Sequence, residues 1–142
     1  MLVDANLLLF AVDTLSPFHD RARTWLTEAL NGDQRVGLPW QSLTAFLRIS
    51  THPRAATNPL RPEDAWQQVQ EWLTAELAWV PLPTSRHADV LGGLLTTYQL
   101  SGNAVPDAVL AALCIEHGLV IYSADTDFAR FAEISWRNPL NR

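Results

Sequence analysis

The chain has 142 residues, 48% of them hydrophobic and 18% charged, enough for one domain with its own core and too apolar for a disordered tail. All ten basic residues are arginine, and the formal net charge is −5. The absence of lysine excludes a P-loop nucleotide site, Schiff-base chemistry and phosphoaspartate enzymes that use a lysine, and the acidic balance argues against a broad electrostatic grip on nucleic acid. The single cysteine, Cys114, forms no internal disulfide, and no Cys/His pair has zinc-ligand spacing, so thiolate metal sites are excluded. Met1 leads directly into a short apolar run, without a basic segment followed by a long apolar one, and no stretch is long enough to cross a bilayer. The expected compartment is the cytoplasm, with no membrane association.

Leu2 to Asp4 reads as a strand ending in a carboxylate, followed by a helix from Ala5 to Val12. Pro17 opens a second helix, whose Phe18, Ala22, Trp25, Leu26, Ala29 and Leu30 recur at helical spacing until Asn31-Gly32. Val36 to Leu38 is a short strand. A third helix runs from Trp40 through Leu43, Phe46, Leu47 and Ser50, and His52-Pro53 ends it. Thr57 to Pro62 is a loop, and Pro62-Glu63-Asp64 opens a fourth helix with acids in its first turn and an apolar stripe that includes Trp66 and Trp72. Trp79 to Leu82 is a strand and Arg86 to Leu100 a helix, broken at Ser101-Gly102-Asn103. Pro106 to Glu116 forms the last long helix, stopped by His117-Gly118. Leu119 to Tyr122 is a strand, Asp127 to Phe131 a helical turn, and Ile134 to Trp136 an edge strand. Strands alternating with helices predict a single α/β domain, residues 1–142, with a mostly parallel sheet.

In such a sheet the C-terminal strand ends share one edge, where ligand sites form. Asp4 ends the first strand, Asp125 and Asp127 follow the Leu119 to Tyr122 strand, and Asp107 opens the helix before it, so these four carboxylates are expected to meet. Asn6 and Ser123 add neutral oxygens at the same edge. Two carboxylates about 4 Å apart repel by roughly 4 kcal/mol at an effective dielectric of 20, so the group calls for a counter-cation, and oxygen-only ligands select magnesium or manganese. Each residue also has a plainer role: Asp4 as a helix cap, Asp107 as a partner of the helix dipole, Asp125 and Asp127 as turn and cap residues. The four histidines, His19, His52, His87 and His117, fall in four segments and form no acid/base pair.

The opening MLVDANLLLFAV, the third-helix stretch LPWQSLTAFLRISTHPR, VPDAVLAAL around Asp107 and GLVIYSADTDFARF near the end together resemble a PIN domain, specifically the short VapC-like toxins of bacterial toxin–antitoxin pairs. The resemblance implies a Rossmann-like α/β/α sandwich that hydrolyses RNA phosphodiesters with magnesium or manganese. It also implies a homodimer and a cognate VapB-like antitoxin. The matching motifs make Asp4, Asp107 and Asp125 the expected catalytic metal ligands, Asp127 an additional acid, and Asn6 and Ser123 the supporting polar residues, with Ser123 standing where threonine is usual. One departure stands out. Many PIN domains carry a glutamate in the third helix, and Phe46 is nearest that place here, so a catalytically weak or inactive binding module is the alternative function. Removing the four aspartates leaves eleven acids against ten arginines, and Arg48 and Arg54, near the end of the third helix, are the expected RNA-phosphate contacts.

Overall fold

The computed structural model describes residues 1–141. Five short strands, β1 (Leu2–Val3), β2 (Val36–Gly37), β3 (Ala78–Trp79), β4 (Ile121–Tyr122) and β5 (Trp136–Arg137), form one sheet in the order β3-β2-β1-β4-β5. Every pairing is parallel. Six helices connect them: α1 (Ala5–Val12), α2 (His19–Leu30), α3 (Trp40–Ser50), α4 (Pro62–Thr74), α5 (His87–Thr97) and α6 (Val105–His117). The fold is therefore the expected α/β sandwich, with its order reversal at β1.

The two central residues of β1 point to opposite faces, as adjacent strand residues must, and each seeds a core. Val3 packs with Leu7, Leu26, Leu43, Phe46 and Val69 from α1 to α4. Leu2 packs on the other face with Leu94, Leu110, Leu113, Ile121 and Phe128. Gly37 suits its tight place, because a Cβ there would lie 3.0 Å from both the Met1 carbonyl oxygen and Pro81 Cγ and would force these neighbours to give. Among the described residues no helix is long and apolar enough to cross a membrane.

Ladder bonds continue past the assigned strands: the Asp4 amide donates to the Tyr122 carbonyl at 3.0 Å and the Leu38 amide to the Trp79 carbonyl at 2.8 Å. The predicted spans Leu2–Asp4 and Val36–Leu38 thus describe real pairing. The third strand is shifted, covering Ala78–Trp79 rather than Trp79–Leu82, because Pro81 and Pro83 have no amide to give to a ladder. The edge strand also moves, to Trp136–Arg137. Helix α2 begins at His19 rather than Pro17, since Ser16 Oγ first accepts the Phe18 amide at 3.1 Å in a local turn. Helix α5 ends at Thr97 instead of Leu100, with Gln99 in the left-handed region at φ 52°.

Candidate metal centre

Three segments converge at one edge of the sheet. Asp4 follows β1 and caps α1, its Oδ1 accepting the Ala5 amide at 2.7 Å. Asp107 lies in the first turn of α6, beside Pro106. Asp125 follows β4 and caps the short 3-10 turn Thr126–Arg130, its Oδ1 accepting the Asp127 amide at 2.8 Å. The capping roles are real for Asp4 and Asp125, and they coexist with convergence: each accepts through Oδ1, which leaves further lone pairs on both oxygens.

Asp107, Asp125 and Asp127 each place one carboxylate oxygen within 4.8 Å of the others. Asp4 stands beside this triad rather than inside it, tied to it through Ser123. The fully buried Ser123 donates its hydroxyl to Asp4 Oδ2 at 2.7 Å and accepts the Asp125 amide at 3.0 Å and Asn6 Nδ2 at 3.1 Å. Asn6 Oδ1 in turn accepts the Ala124 amide at 3.3 Å. Both supporting polar residues therefore lock the β1–α1 junction to the loop after β4, a task that needs the hydroxyl and not the methyl of threonine.

The electrostatics of the cluster are dominated by burial and like charge. Burial, then the charges of Asp125 and Asp4, push the Asp107 carboxyl up to about 6, with Arg130 opposing them and Asp127 adding to them. Asp4 is also raised, first by burial, although its bonds from Ser123 and Ala5 pull it back. The helix dipole at the N-terminus of α6 favours a carboxylate, yet burial and like charges win at Asp107. At about 5 Å, two carboxylates repel by roughly 3 kcal/mol at an effective dielectric of 20. A donor set made only of carboxylate oxygens, partly withdrawn from water and mutually repulsive, fits a hard divalent cation.

Phe46, the position nearest the missing acid, is fully buried and meets Trp72 edge-on at 4.8 Å between ring centroids. It belongs to the core and offers nothing to the acids. Arg48 lies eight residues beyond Trp40, about 12 Å along α3 from its start at the acidic edge, and Arg54 follows the far end of that helix. Both are exposed, and neither is brought into an ion pair or side-chain hydrogen bond among the described residues. The histidines are all engaged elsewhere: His87 Nδ1 with Glu116 at 2.6 Å, His19 with the Phe10 carbonyl, His117 with the Leu82 carbonyl, and His52 with the Arg54 and Ala55 amides.

Two residues at this edge escaped the sequence reasoning. Arg130 Nη2 lies 3.4 Å from Asp127 Oδ2, and its Nε donates to the Asp127 carbonyl at 3.0 Å; the i, i+3 spacing across the predicted turn was an available signal. Trp136 Nε1 donates to the Ser123 carbonyl at 2.9 Å, a contact between neighbouring strands that no local pattern announces.

A family profile described as PIN domain matches residues 1–134. Ribonuclease VapC37 of Mycobacterium tuberculosis is 46% identical over 138 residues, covering 97% of this chain and 96% of its own length. Ribonuclease VapC33 of the same species is 42% identical over 137 residues, covering 96% of each. Among solved structures, M. tuberculosis VapC20, a sarcin-ricin loop cleaving toxin, superposes with a TM-score of 0.68 at 17% identity, covering 94% of this chain and 98% of that one. VapBC2 from Rickettsia felis, bound to a promoter DNA fragment, gives 0.69 at 14% identity over 96% of each chain; at such identities the likeness concerns the fold.

Proposed function

The chain belongs to the PIN-domain family, among its VapC ribonucleases, and from that premise we propose that it is a magnesium-dependent endoribonuclease toxin of the cytoplasm, with manganese as a substitute ion. The observation that carries this assignment is the approach of Asp107, Asp125 and Asp127 within 4.8 Å, beside the Ser123-anchored Asp4. Asp4, Asp107 and Asp125 are the catalytic ligands and Asp127 a further one. When bound, the cation supplies an activated water and screens charge developing on the phosphate.

The chain's own contribution is positioning. Ser123 and Asn6 hold Asp4 and the Asp125 loop in fixed relation, and the short turn after Asp125 presents Asp127. No side chain acts as nucleophile, and the four histidines are engaged with other partners. Arg48 and Arg54 contact the RNA backbone away from the cleavage point. A VapB-like antitoxin neutralises the toxin, and the chain works as a homodimer; the exposed Leu15, Phe18 and Leu82 are apolar surface of the kind that protein partners cover.

The alternative, a weak or inactive binding module, draws support from Phe46, which removes one acid from the family's usual set. RNA cleavage assayed with magnesium, with chelator, and with Asp4→Asn or Asp107→Asn separates the two. Cleavage that needs the ion and both acids is expected; binding without cleavage favours the module, and cleavage undiminished in chelator contradicts the metal mechanism.

A further inference from the structure

We infer that Arg130 is the substrate-positioning residue of this site, a guanidinium that rests on Asp127 in the free protein and grips an RNA phosphate when substrate enters. The inference depends on the ribonuclease assignment and concerns a residue outside the acid set. Its basis is an asymmetry in how the side chain is held. The Nε–H bond to the Asp127 carbonyl is closed at 3.0 Å, whereas Nη2 lies 3.4 Å from Asp127 Oδ2, beyond the roughly 2.7–2.9 Å of a well-formed charge-assisted bond. The stem is anchored while the fork is loosely engaged.

The anchor is rigid for a reason visible in the packing. Phe128 is fully buried and Phe131 is 2% exposed, so the Thr126–Arg130 turn is pinned into the core at its middle and just past its C-terminal end, and the guanidinium carbon sits 5.8 Å from the Phe131 ring centroid. The Arg130 side chain remains 32% exposed. A guanidinium has five N–H donors, and only one here is committed to a closed bond. Of the other arginines, Arg61 is spent on Asp64 at 3.2 Å and Glu63 at 3.7 Å, and Arg48 and Arg54 lie beyond the first turn of α3. Among the described residues, Arg130 is the arginine in an ion pair with an acid of the cluster, and its charge is felt at Asp107. An incoming phosphodiester must approach four carboxylates, so a preorganised fork at their rim offsets repulsion where it is greatest, and bidentate contact fixes the phosphate's orientation.

The test uses fluorescence anisotropy of a fluorescein-labelled, mixed-sequence single-stranded RNA oligomer binding the full chain. Asp4→Asn serves as the parent to silence cleavage, with magnesium present and salt varied. Adding Arg130→Ala should weaken binding about tenfold and reduce the slope of log affinity against log salt by about 0.7, the loss of one phosphate contact on a single strand. Arg130→Lys should keep the slope and recover part of the affinity. In the otherwise unmodified enzyme Arg130→Ala should raise KM far more than it lowers kcat, while manganese affinity, measured by calorimetry without RNA, stays the same or tightens. Unchanged affinity and slope in Arg130→Ala, with the parent binding normally, would overturn the inference and leave the nuclease assignment standing. Loss of manganese binding in that variant would also overturn it, since Arg130 would then be shaping the acids. No RNA binding by the parent itself would contradict the nuclease assignment, and this inference with it.

Discussion

Helix α6 carries an acid at each end, and the two are handled in opposite ways. Glu116, in the last turn, has its side chain fully shielded from solvent, with His87 Nδ1 at 2.6 Å from one oxygen and the Thr84 amide and hydroxyl at 2.8 and 2.7 Å from the other. Burial pushes its carboxyl up, but those donors outweigh it and leave it below the ordinary glutamate value. Asp107, in the first turn, has other carboxylates for neighbours and is driven up to about 6. One acid is satisfied within the protein, clasping the segment before α5 to α6. The other is surrounded by like charges, with Arg130 the opposing one. The contrast separates a carboxylate satisfied by protein donors from one that is not, a distinction that burial alone does not draw, because both are at least partly withdrawn from water.

The contrast breaks most visibly under amide substitution. Asp107→Asn should lower RNA cleavage by at least about 100-fold, the equivalent of about 3 kcal/mol of transition-state stabilisation, while raising the metal-free protein's stability by of order 1 kcal/mol as repulsion is relieved. Glu116→Gln should do the reverse, costing about 1–2 kcal/mol in denaturant unfolding through a weakened clasp and leaving kcat nearly unchanged. An Asp107→Asn protein that is both active and destabilised would erase the distinction.

The pH response sharpens it. For Asp107 the folded value lies above the unfolded 3.8, so its contribution to stability is fully present below about 3.8 and is lost as pH rises through about 6. Glu116 has a folded value below the unfolded 4.5, so its contribution is present above 4.5 and is lost as pH falls through the lowered value. Urea midpoints of wild type relative to Asp107→Asn should therefore decline between about pH 4 and 6 without metal, and saturating magnesium should abolish the decline. Relative to Glu116→Gln, wild type should lose its advantage only on the acid side. The smallest expected effect lies farther away: Arg48→Ala or Arg54→Ala should change stability by no more than about 0.5 kcal/mol and lower the salt slope of RNA binding by about 0.7 each.

Much of this edge was legible in the sequence because its acids sit where elements change. Asp4 at a strand end, Asp107 after Pro106 in a first turn, and Asp125 after an apolar strand all mark places where a parallel sheet brings chain ends together. What local pattern does not carry is the relation between distant segments. Nothing local pairs the Trp136 indole with the Ser123 carbonyl, or orients Phe46 into the core against Trp72. Nor does spacing alone say that the Ser123 hydroxyl ties Asp4 to the Asp125 amide. The i, i+3 spacing of Asp127 and Arg130 permits their contact but does not by itself place the guanidinium beside the other acids, and the strand lies at Ala78–Trp79 because prolines downstream deny it hydrogen bonds.

The most direct measurement is a calorimetric titration of manganese into metal-stripped protein near neutral pH, comparing wild type, Glu116→Gln and Asp107→Asn. Saturable binding in the first two, and its loss or severe weakening in the third, is the expected result. Binding in Asp107→Asn that matches wild type would contradict a metal centre built on these acids.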